Sequence, residues 1–530
     1  MSSDPSVPPS AAVPHNRWPD LAVAAAETLE PAATISVVIP CRDDTANLER
    51  TVAALTTQTY PSHLVEILIV DDGSDPAIDG QALEELVGRL APDWAGSLTV
   101  LAQERFGFGA GRARNLGASQ SHGEILLFLD ADILLEAGGL AQHARWHHAA
   151  RDVVVLGVYR AVDVDGIDAA SVAAAEEIGA LLTGRDVTEP AWLTSFIERR
   201  KQLTGRHRDL FAAMTGCNVS LRRDLYDDVG GFTFFGLRGI EDTELAWRLF
   251  TAGAVFVPEP GATGWHQGAR HFDGEEKDAT KRRRTPLLQH AIPASTVRPT
   301  AARRFDVAKA VITIDVTDVP YDAVLTAVDA ALASSVRDIA VHLDGLPEHP
   351  DADLLRETFG PDGRVTGLDG EPAARFCEVR ITAPATVPLA PDTVAALLDT
   401  LAQRRVGLVR VGDADTGVRA VTARAAERAV RVAADRDEAQ IHTVIEELFG
   451  AWDLPEDAAG LAAPEPAEDS MPVAAVQAVQ DAQQAAATAQ AEAERLSAEL
   501  AEVRAQLDRA RQRRAVRLAD KAGRLFGRGG

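Results

Sequence analysis

Short apolar runs alternate with helical segments at the start of this chain, and that alternation restricts the fold more than any other feature of the sequence. Four apolar, largely β-branched runs predict buried strands at 35–39, 65–70, 98–102 and 124–129. Segments of helical spacing lie between them, at 48–58, 83–90 and 112–120. Strands that alternate with helices indicate a parallel, doubly wound sheet, and such sheets bind ligands beyond the carboxyl ends of their strands.

Charge and composition exclude several classes of protein. The 530 residues carry 53 Lys and Arg against 79 Asp and Glu, a formal net charge of −26, which argues against general binding to nucleic acid. No apolar run approaches the ~18–20 residues that a bilayer-spanning helix needs, and the N-terminus lacks the pattern of a signal peptide. We expect the three scattered cysteines to be reduced, as in a cytoplasmic protein, and not to form a zinc site.

Shifts in composition divide the chain into six segments. We predict a mostly disordered arm at 1–33, an α/β domain at 34–268, a linker or wrapping segment at 269–304, a second, smaller α/β domain at 305–452, an acidic Ala/Pro linker at 453–472 and a coiled-coil segment with a basic end at 473–525.

The second α/β domain repeats the strand and helix order of the first without its acids. Leu343-Asp344-Gly345 stands where the first domain has Asp71-Asp72-Gly73, and Pro384 and Thr386 align approximately with Asp130 and Asp132. We therefore interpret the second domain as a degenerate copy that has lost its chemistry.

The C-terminal segment has apolar residues at alternating spacings of three and four. This seam indicates either a coiled coil that makes a parallel homodimer or one amphipathic helix lying on its own protein. The basic end beyond it, at 509–528, is either a solvated helix end or a peripheral contact with an anionic membrane surface.

Two acidic motifs follow the predicted strands. Asp130-Ala-Asp132 comes directly after an apolar run, and Asp71-Asp72 ends a companion strand. Paired carboxylates at such an edge can hold a hard divalent cation together with substrate phosphates. The same tripeptide at 413–415 lies between two short predicted strands, where a hairpin turn is the better interpretation.

Three further features carry open alternatives. The acids at Gly239–Glu244 begin an amphipathic helix, where they serve either chemistry or compensation of the helix dipole. His266 lies in a predicted Gly-rich loop; a lone His is usually not a metal ligand, but this loop setting keeps metal contact open as an alternative. The loop 106–111 lacks the dinucleotide spacing, which excludes a nicotinamide cofactor, but it suits the approach of a diphosphate with Arg112 or Arg114 nearby.

Eight motifs in order resemble family 2 glycosyltransferases. They are Val37-Val-Ile-Pro40, Gln58-Thr-Tyr-Pro61, Val70-Asp-Asp-Gly-Ser74, Ala113-Arg-Asn115, Phe128-Leu-Asp-Ala-Asp132, Gly216-Cys-Asn218, Gly230-Gly-Phe232 and Gly239-Ile-Glu-Asp242. The resemblance covers about residues 34–268 and implies the GT-A fold, a Rossmann-like, mostly parallel nucleotide-sugar-binding α/β domain.

The resemblance also implies site residues. The nucleotide-sugar donor is expected at Pro40, Arg42, Asp71, Asp72, Arg114, Asn115 and Asp130; the metal at Asp130, Asp132 and His266; and the general base at Asp242, next to Glu241. Where the family usually has Asn after the first strand, this chain has Asp43-Asp44. The sequence has no apolar run long enough for the membrane helices of processive synthases, which favours single addition.

The implied activity is inverting transfer of a sugar, with UDP-sugar as the expected donor and Mn²⁺ or Mg²⁺ as cofactor. The acceptor is expected to be a hydroxyl of a glycan or a lipid-linked glycan in cell-surface glycoconjugate synthesis, at the inner face of the membrane. Two alternatives remain open. A sugar-phosphate nucleotidyltransferase would carry a Gly-rich, Arg-containing loop directly after the first strand, where this chain has Pro40-Cys-Arg-Asp43. A non-catalytic GT-like coiled-coil scaffold would not need the acids of the first domain.

Overall fold

The computed structural model describes residues 8–268, 274–298, 303–412, 417–433 and 437–461, with 274–278 described by backbone alone. The predicted turn at 413–415, the segment 462–472 of the acidic linker and the predicted coiled coil at 473–525 lie outside the described residues. Two β-sheets, each covered by helices, make up the described part.

Among the described residues, the first sheet contains nine strands. They are β1 Ile35–Cys41, β2 Val65–Asp71, β3 Ser97–Ala102, β4 Ile125–Leu129, β5 Ile133–Leu135, β6 Val153–Val162, β7 Val187–Thr188, β8 Asn218–Arg222 and β9 Val255–Gln267. Their order is β3-β2-β1-β4-β8-β6-β9-β5, with β7 on β6. Strands β1 to β4 are parallel neighbours and β8 is antiparallel to β4. The four strands predicted from the apolar runs are confirmed.

Helices cover this sheet. They are α1 Thr45–Thr56, α2 Gly80–Leu90, α3 Ala110–Gln120, α4 Gly139–Ala149, α5 Ala169–Ala173, α6 Ile178–Leu181, α7 Ala191–Arg199, α8 Arg223–Asp228 and α9 Glu241–Thr251. The central strands are buried on both faces, and Val38, Ile39 and Phe128 have no exposed surface. Such burial explains why these strands appear in the sequence as continuous apolar runs.

Two expectations for the segment after α9 are wrong. His266 does not lie in a loop, because β9 carries it between β5 and β6. Prolines ordinarily argue against a central strand, but the pairing of β6 with β9 shifts register after Gly157, which takes Pro260 out of the ladder. The predicted linker at 269–304 contains a helix, α10 Gly274–Ala291, whose charged residues and internal proline hide its periodicity.

The second sheet has seven strands in the described residues. They are β10 Ala310–Asp315, β11 Ile339–Asp344, β12 Val365–Thr366, β13 Val379–Thr382, β14 Leu408–Val411, β15 Val418–Thr422 and β16 Ala451–Asp453. Its order is β12-β11-β10-β13-β15-β14-β16. The parallel set β12-β11-β10-β13, followed by antiparallel β15, repeats the arrangement β3-β2-β1-β4-β8 of the first sheet.

Helices also pack on the second sheet. They are α11 Tyr321–Leu332, α12 Ala352–Phe359, α13 Thr393–Arg404, α14 Ala423–Ala433, α15 Glu438–Phe449 and α16 Glu456–Ala459. The last of them lies within the segment predicted as an acidic linker. Its residue Ala459 is buried against the core of the second sheet, so the linker begins later than the composition suggested.

Residues 8–33 are not the disordered arm that the composition predicted. Ala11 and Val13 are buried against the first sheet, and Asn16 is fully buried. The Asn16 amide donates to the carbonyl oxygens of Leu203 and Phe256 at 2.8 Å each. One polar side chain therefore fixes the arm through backbone partners, which neither composition nor periodicity reveals.

The two sheets are joined by buried and charged contacts. Arg375 makes two hydrogen bonds to the Asp228 carboxylate, at 2.9 and 2.6 Å, and fully buried Arg428 donates to the Gly253 carbonyl oxygen. A Cβ at Gly253 would lie 2.7 Å from the Arg428 nitrogen, so a glycine allows this close approach. Within the described part of the chain, none of the helices is long and apolar enough to cross a membrane.

Candidate active site

The acids that follow the predicted strands meet at one edge of the first sheet. Strands β1, β2 and β4 are parallel, so their carboxyl ends point the same way and bring Arg42, Asp72 and Asp130 to that edge. Asp242, at the start of α9, joins the same region through its ion pair with Arg114. His266, at the end of β9, joins it through its contact with Asp132. The structure thus brings together motifs that are far apart in sequence.

Asp72 is held by three neighbours. Arg42 forms an ion pair with its carboxylate, and Gln103 donates to its Oδ1 at 2.7 Å. A Cβ at Gly109 would lie 2.0 Å from Asp72 Oδ1, so the Gly-rich loop can approach only without a side chain. No local sequence pattern marks Gln103 as part of the site.

Asp71 and Asn115 organise the backbone of the site. The two carboxylate oxygens of Asp71 accept backbone hydrogen bonds from Ser74 at 2.7 Å and Ile78 at 3.0 Å. Burial opposes ionisation of Asp71, but these bonds outweigh it and lower its pKa. Asn115 binds both backbone polar groups of Phe232 at 2.8 Å. Pro40 lies half-buried near the end of β1.

Arg114 links two of the acids. Its guanidinium donates to Asp130 Oδ1 at 2.8 Å and to Asp242 Oδ1 at 3.3 Å, although its own side chain is only 4% exposed. Burial alone would lower the pKa of Arg114, but the charges of Asp242 and Asp130 outweigh burial and raise it. The cation therefore stays charged and fixes both carboxylates in place.

Asp132 and His266 form the second pair of the site. His266 Nε2 lies 3.1 Å from Asp132 Oδ2, and its Nδ1 lies 3.0 Å from the carbonyl oxygen of Gly268. A carbonyl oxygen only accepts, so Nδ1 carries the ring hydrogen. In a neutral imidazole, Nε2 then presents a lone pair to the carboxylate. The lone pair of Nε2 and the carboxylate oxygen repel each other. A cation between them, either a proton or a metal ion, removes this repulsion.

The ligand atoms that this pair offers fit a divalent metal ion. A carboxylate and an imidazole whose second nitrogen is hydrogen-bonded to a carbonyl oxygen are a common metal-ligand combination. No group of three or more His, Cys, Asp or Glu side chains positioned for a metal exists in the described ranges. Asp132 and His266 would therefore need further ligands from a bound substrate, as diphosphate oxygens can supply.

Glu241 and Asp242 differ in accessibility. Glu241 is 5% exposed, and burial followed by the neighbouring charge of Asp242 raises its pKa. The Asp242 side chain is 23% exposed. Of these two carboxylates, that of Asp242 is the more open to solvent. Gly216 lies against it, since a Cβ there would be 2.4 Å from Asp242 Oδ1.

Exposed aromatic side chains line the loops next to this edge. Phe106 is 64% exposed and Phe234 38%, and their ring centroids are 5.6 Å apart. A backbone hydrogen bond of 3.1 Å from Phe108 to Gly236 ties the two loops together. The sequence analysis did not select these rings, because isolated Phe residues in a loop give no signal by themselves.

The curled, parallel-rich sheet with acids at its carboxyl edge defines a mixed α/β protein of the GT-A, Rossmann-like type. Residues 36–230 match the family described as Glycosyl transferase family 2. The resemblance noted from the eight motifs is thereby confirmed.

Two curated glycosyltransferases and one solved glycosyltransferase structure are similar to parts of this chain. Glycosyltransferase AglE of Haloferax volcanii is 37% identical over 98 residues, 18% of this chain and 30% of AglE. Validoxylamine A glucosyltransferase of Streptomyces hygroscopicus subsp. jinggangensis is 32% identical over 233 residues, 41% of this chain and 52% of that enzyme. The chain thus spans about half or less of these relatives. The structure of mannosyltransferase PcManGT from Pyrobaculum calidifontis in complex with GDP-Man and Mn²⁺ aligns at 20% identity with a TM-score of 0.36, covering 54% of this chain and 70% of that one.

Proposed function

We propose that this chain is an inverting, metal-dependent glycosyltransferase that moves a sugar from a nucleoside-diphosphate sugar, with UDP-sugar as the expected donor, to an acceptor hydroxyl. One observation carries the proposal: buried Arg114 holds Asp130 and Asp242 at the carboxyl edge of a family 2 sheet. The two carboxylates have separate tasks in such a reaction, one towards the donor and one towards the acceptor.

The donor lies along the ends of β1, β2 and β4 in this proposal. Arg42 and Asp72 form the nucleoside side with Pro40, and their ion pair gives that side a defined shape. Asp130 lies on the diphosphate side. Arg114 supports the diphosphate indirectly, because its own hydrogen bonds fix the orientation of Asp130.

Asp132 and His266 would hold the divalent cation, with Asp130 as the third expected ligand. When bound, Mn²⁺ or Mg²⁺ supplies positive charge that stabilises the leaving nucleoside diphosphate. The imidazole favours Mn²⁺, since Mg²⁺ prefers oxygen ligands. Gly268 keeps His266 in the required tautomer by accepting its Nδ1 hydrogen.

Asp242 acts as the general base. Its carboxylate accepts the proton of the acceptor hydroxyl while that oxygen attacks the anomeric carbon, opposite to the leaving diphosphate, and the configuration inverts. Glu241 stays buried behind it and accepts a hydrogen bond from the Ile240 backbone at 2.9 Å. Its role in the proposal is therefore to position the start of α9.

Phe106 and Phe234 indicate the acceptor class. Exposed aromatic rings offer flat apolar surfaces to the C–H faces of sugar rings, which supports a glycan or lipid-linked glycan as acceptor. Arg112 stacks over Phe234 at 5.5 Å and holds that ring in place. A role in cell-surface glycoconjugate synthesis is part of this proposal.

The second sheet is proposed to be a degenerate copy of the first. The shared strand order supports this interpretation, and Pro384 and Thr386 at the compared positions offer no carboxylate. The predicted homodimer, the membrane contact of the basic end and the cytoplasmic location at the inner face of the membrane also remain proposals. The coiled coil on which the first two depend lies outside the described residues.

Hydrolysis and transfer assays test the proposed function. Purified protein is incubated with a panel of nucleotide sugars with and without Mn²⁺, and release of nucleoside diphosphate is measured. Metal-dependent release from one donor is expected. Release of pyrophosphate from a nucleoside triphosphate and a sugar phosphate would instead identify the nucleotidyltransferase alternative, and inactivity with every donor, with no binding of any, would favour the scaffold.

A further inference from the structure

A cleft between the two sheets contains a buried arginine whose guanidinium is incompletely paired. Arg424, in α14, is 7% exposed, and it donates to Asn16 Oδ1 at 2.9 Å and to the His15 carbonyl oxygen at 3.3 Å through Nη2. Its Nη1 is buried and has no hydrogen-bond partner among the described residues. A buried cation without a full set of partners is costly, which points to a missing anion.

The space around Arg424 is large enough for a ligand. The cleft has a cavity volume of about 60 Å³ and is lined by residues of both sheets, including His15, Phe250, Arg405 and Arg206. A single buried water needs about 10–15 Å³, so the cleft has room for a compact ion of a few atoms. We refer to this space as the arginine cleft.

The arginine cleft carries an excess of positive charge. Arg206 and Arg405 are exposed at its opening, and neither forms an ion pair with another described residue. The acid on its wall, Glu378, is already neutralised by Arg208 at 3.4 Å and Lys309 at 3.1 Å. Burial, followed by the charges of nearby arginines, lowers the pKa of His15 to about 3, as expected in a strongly positive environment.

The arginine cleft is separate from the candidate active site. Helix α9 begins beside the active site with Glu241 and ends with Thr251, which lines the cleft. At about 1.5 Å per residue, the nine steps along the helix from Asp242 to Thr251 span about 13.5 Å. A ligand in the cleft therefore does not occupy the donor site proposed above.

We propose that the arginine cleft binds a compact dianionic oxyanion, either inorganic phosphate or the phosphate group of a small monoester, with Arg424 as its buried anchor. Three arginines around one space suit a dianion better than a monovalent carboxylate, because each contributes a charge-assisted hydrogen bond. The guanidinium of Arg424 is already oriented by Phe250, whose ring centroid lies 4.1 Å from its central carbon.

Calorimetry on the full chain tests the proposal. Inorganic phosphate and glycerol 3-phosphate are titrated separately at constant ionic strength, with chloride as the blank, in the absence of nucleotide and metal. Saturable binding of phosphate is expected, and tighter binding of glycerol 3-phosphate would identify a monoester as the preferred source. Absence of saturable binding for both ligands overturns the proposal.

Variants locate the bound anion. Arg424→Met keeps the apolar stem on Phe250, and we expect at least about tenfold weaker binding, the worth of one hydrogen bond to a charged group. Arg206→Gln combined with Arg405→Gln should also weaken binding. Arg404→Gln is the matched control, since it removes a neighbouring exposed charge that does not line the cleft.

Two outcomes distinguish the cleft from the active site. Arg42→Gln should leave phosphate binding unchanged, because Arg42 belongs to the proposed donor site. Loss of binding in that variant, with retention in the Arg206/Arg405 double variant, would place the anion at the active site and overturn the proposal. The double variant changes only exposed side chains, so it decides the question even where Arg424→Met fails to fold.

Discussion

His266 Nε2 lies 3.1 Å from Asp132 Oδ2. The bond from His266 Nδ1 to the Gly268 carbonyl oxygen fixes the tautomer, so that two lone pairs face each other in the neutral state. Paired strands hold both residues, because Ile133 at the start of β5 lies opposite His266 in β9. The strand register therefore holds the carboxylate and the imidazole next to each other, as the proposed metal site requires.

The first prediction concerns that cation. Asp132→Ala removes one of the proposed protein ligands and should abolish the dependence of UDP binding on Mn²⁺. Calorimetry with UDP, with and without Mn²⁺, measures the effect. Asp353→Ala is the control, since its side chain is fully exposed on α12. Unchanged metal-dependent affinity in Asp132→Ala would remove Asp132 from the metal site.

The second prediction concerns the base. Asp242→Asn preserves side-chain size but cannot accept the proton of the acceptor hydroxyl. Transfer should fall by roughly 10²–10⁴-fold, the usual contribution of general base catalysis, while donor affinity changes little. Rates of transfer and donor binding are measured separately. Near-normal transfer would leave the acids at 241–244 with only a helix-capping role.

The third prediction is a pH dependence of stability. Because burial and then the charge of Asp242 raise the pKa of Glu241 above 4.5 in the folded state, ionisation of Glu241 destabilises the fold as the pH rises through that pKa. Glu241→Gln should therefore raise the Tm at pH 7–8. The gain should disappear below about pH 4, where the wild-type side chain is neutral. A gain of equal size at both pH values would contradict this explanation.

The fourth prediction concerns Gly216. A Cβ at this position would lie 2.4 Å from Asp242 Oδ1 and 2.8 Å from the Arg114 guanidinium. Gly216→Ala must displace one of them, and transfer should fall by roughly 10²-fold, as a displacement of about 1 Å can cause. Gly88→Ala is the matched control, because a Cβ there meets nothing within 4 Å. Equal activity of the two variants would show that the site tolerates the added methyl group.

The fifth prediction concerns the acceptor. Phe106→Ala and Phe234→Ala should raise the KM for a glycan acceptor, with the donor KM unchanged, because the rings are proposed to bind sugar faces. Trp192→Ala is the control, since that ring is 55% exposed on α7. Initial-rate kinetics with each substrate varied in turn measure the effect. A change in donor KM alone would assign the rings to the other substrate.

Local sequence was sufficient for the strands that carry the site. The runs that became β1, β2 and β4 are apolar on both faces, which only a buried strand or helix explains, and the acids after them had to end at one edge. The same reasoning failed for β9. Its two prolines and its glycines resemble a loop, and the shifted pairing with β6 takes Pro260 and Gly261 out of the ladder.

The N-terminal arm, residues 8–33, is a second case in which local sequence did not predict the structure. Asn16 is one polar residue in a Pro- and Ala-rich segment, and its composition alone favours disorder. Asn16 can be buried because its side-chain amide forms four hydrogen bonds, which include bonds with the Phe256 backbone and the Arg424 guanidinium. Such partners are more than a hundred residues away, beyond the reach of any periodicity argument.

The sequence by itself determined the alternating α/β order, the acids at the strand ends and the resemblance that the family match confirms, because each is encoded within a few consecutive residues. Only the tertiary structure decided that Arg114 joins Asp130 to Asp242, and that Asp132 meets His266. Those contacts depend on strand order and register, which many distant residues set together through burial of a common core. The ion pairs form because folding brings these side chains close together, and their distance in space is not visible in the order of residues along the chain.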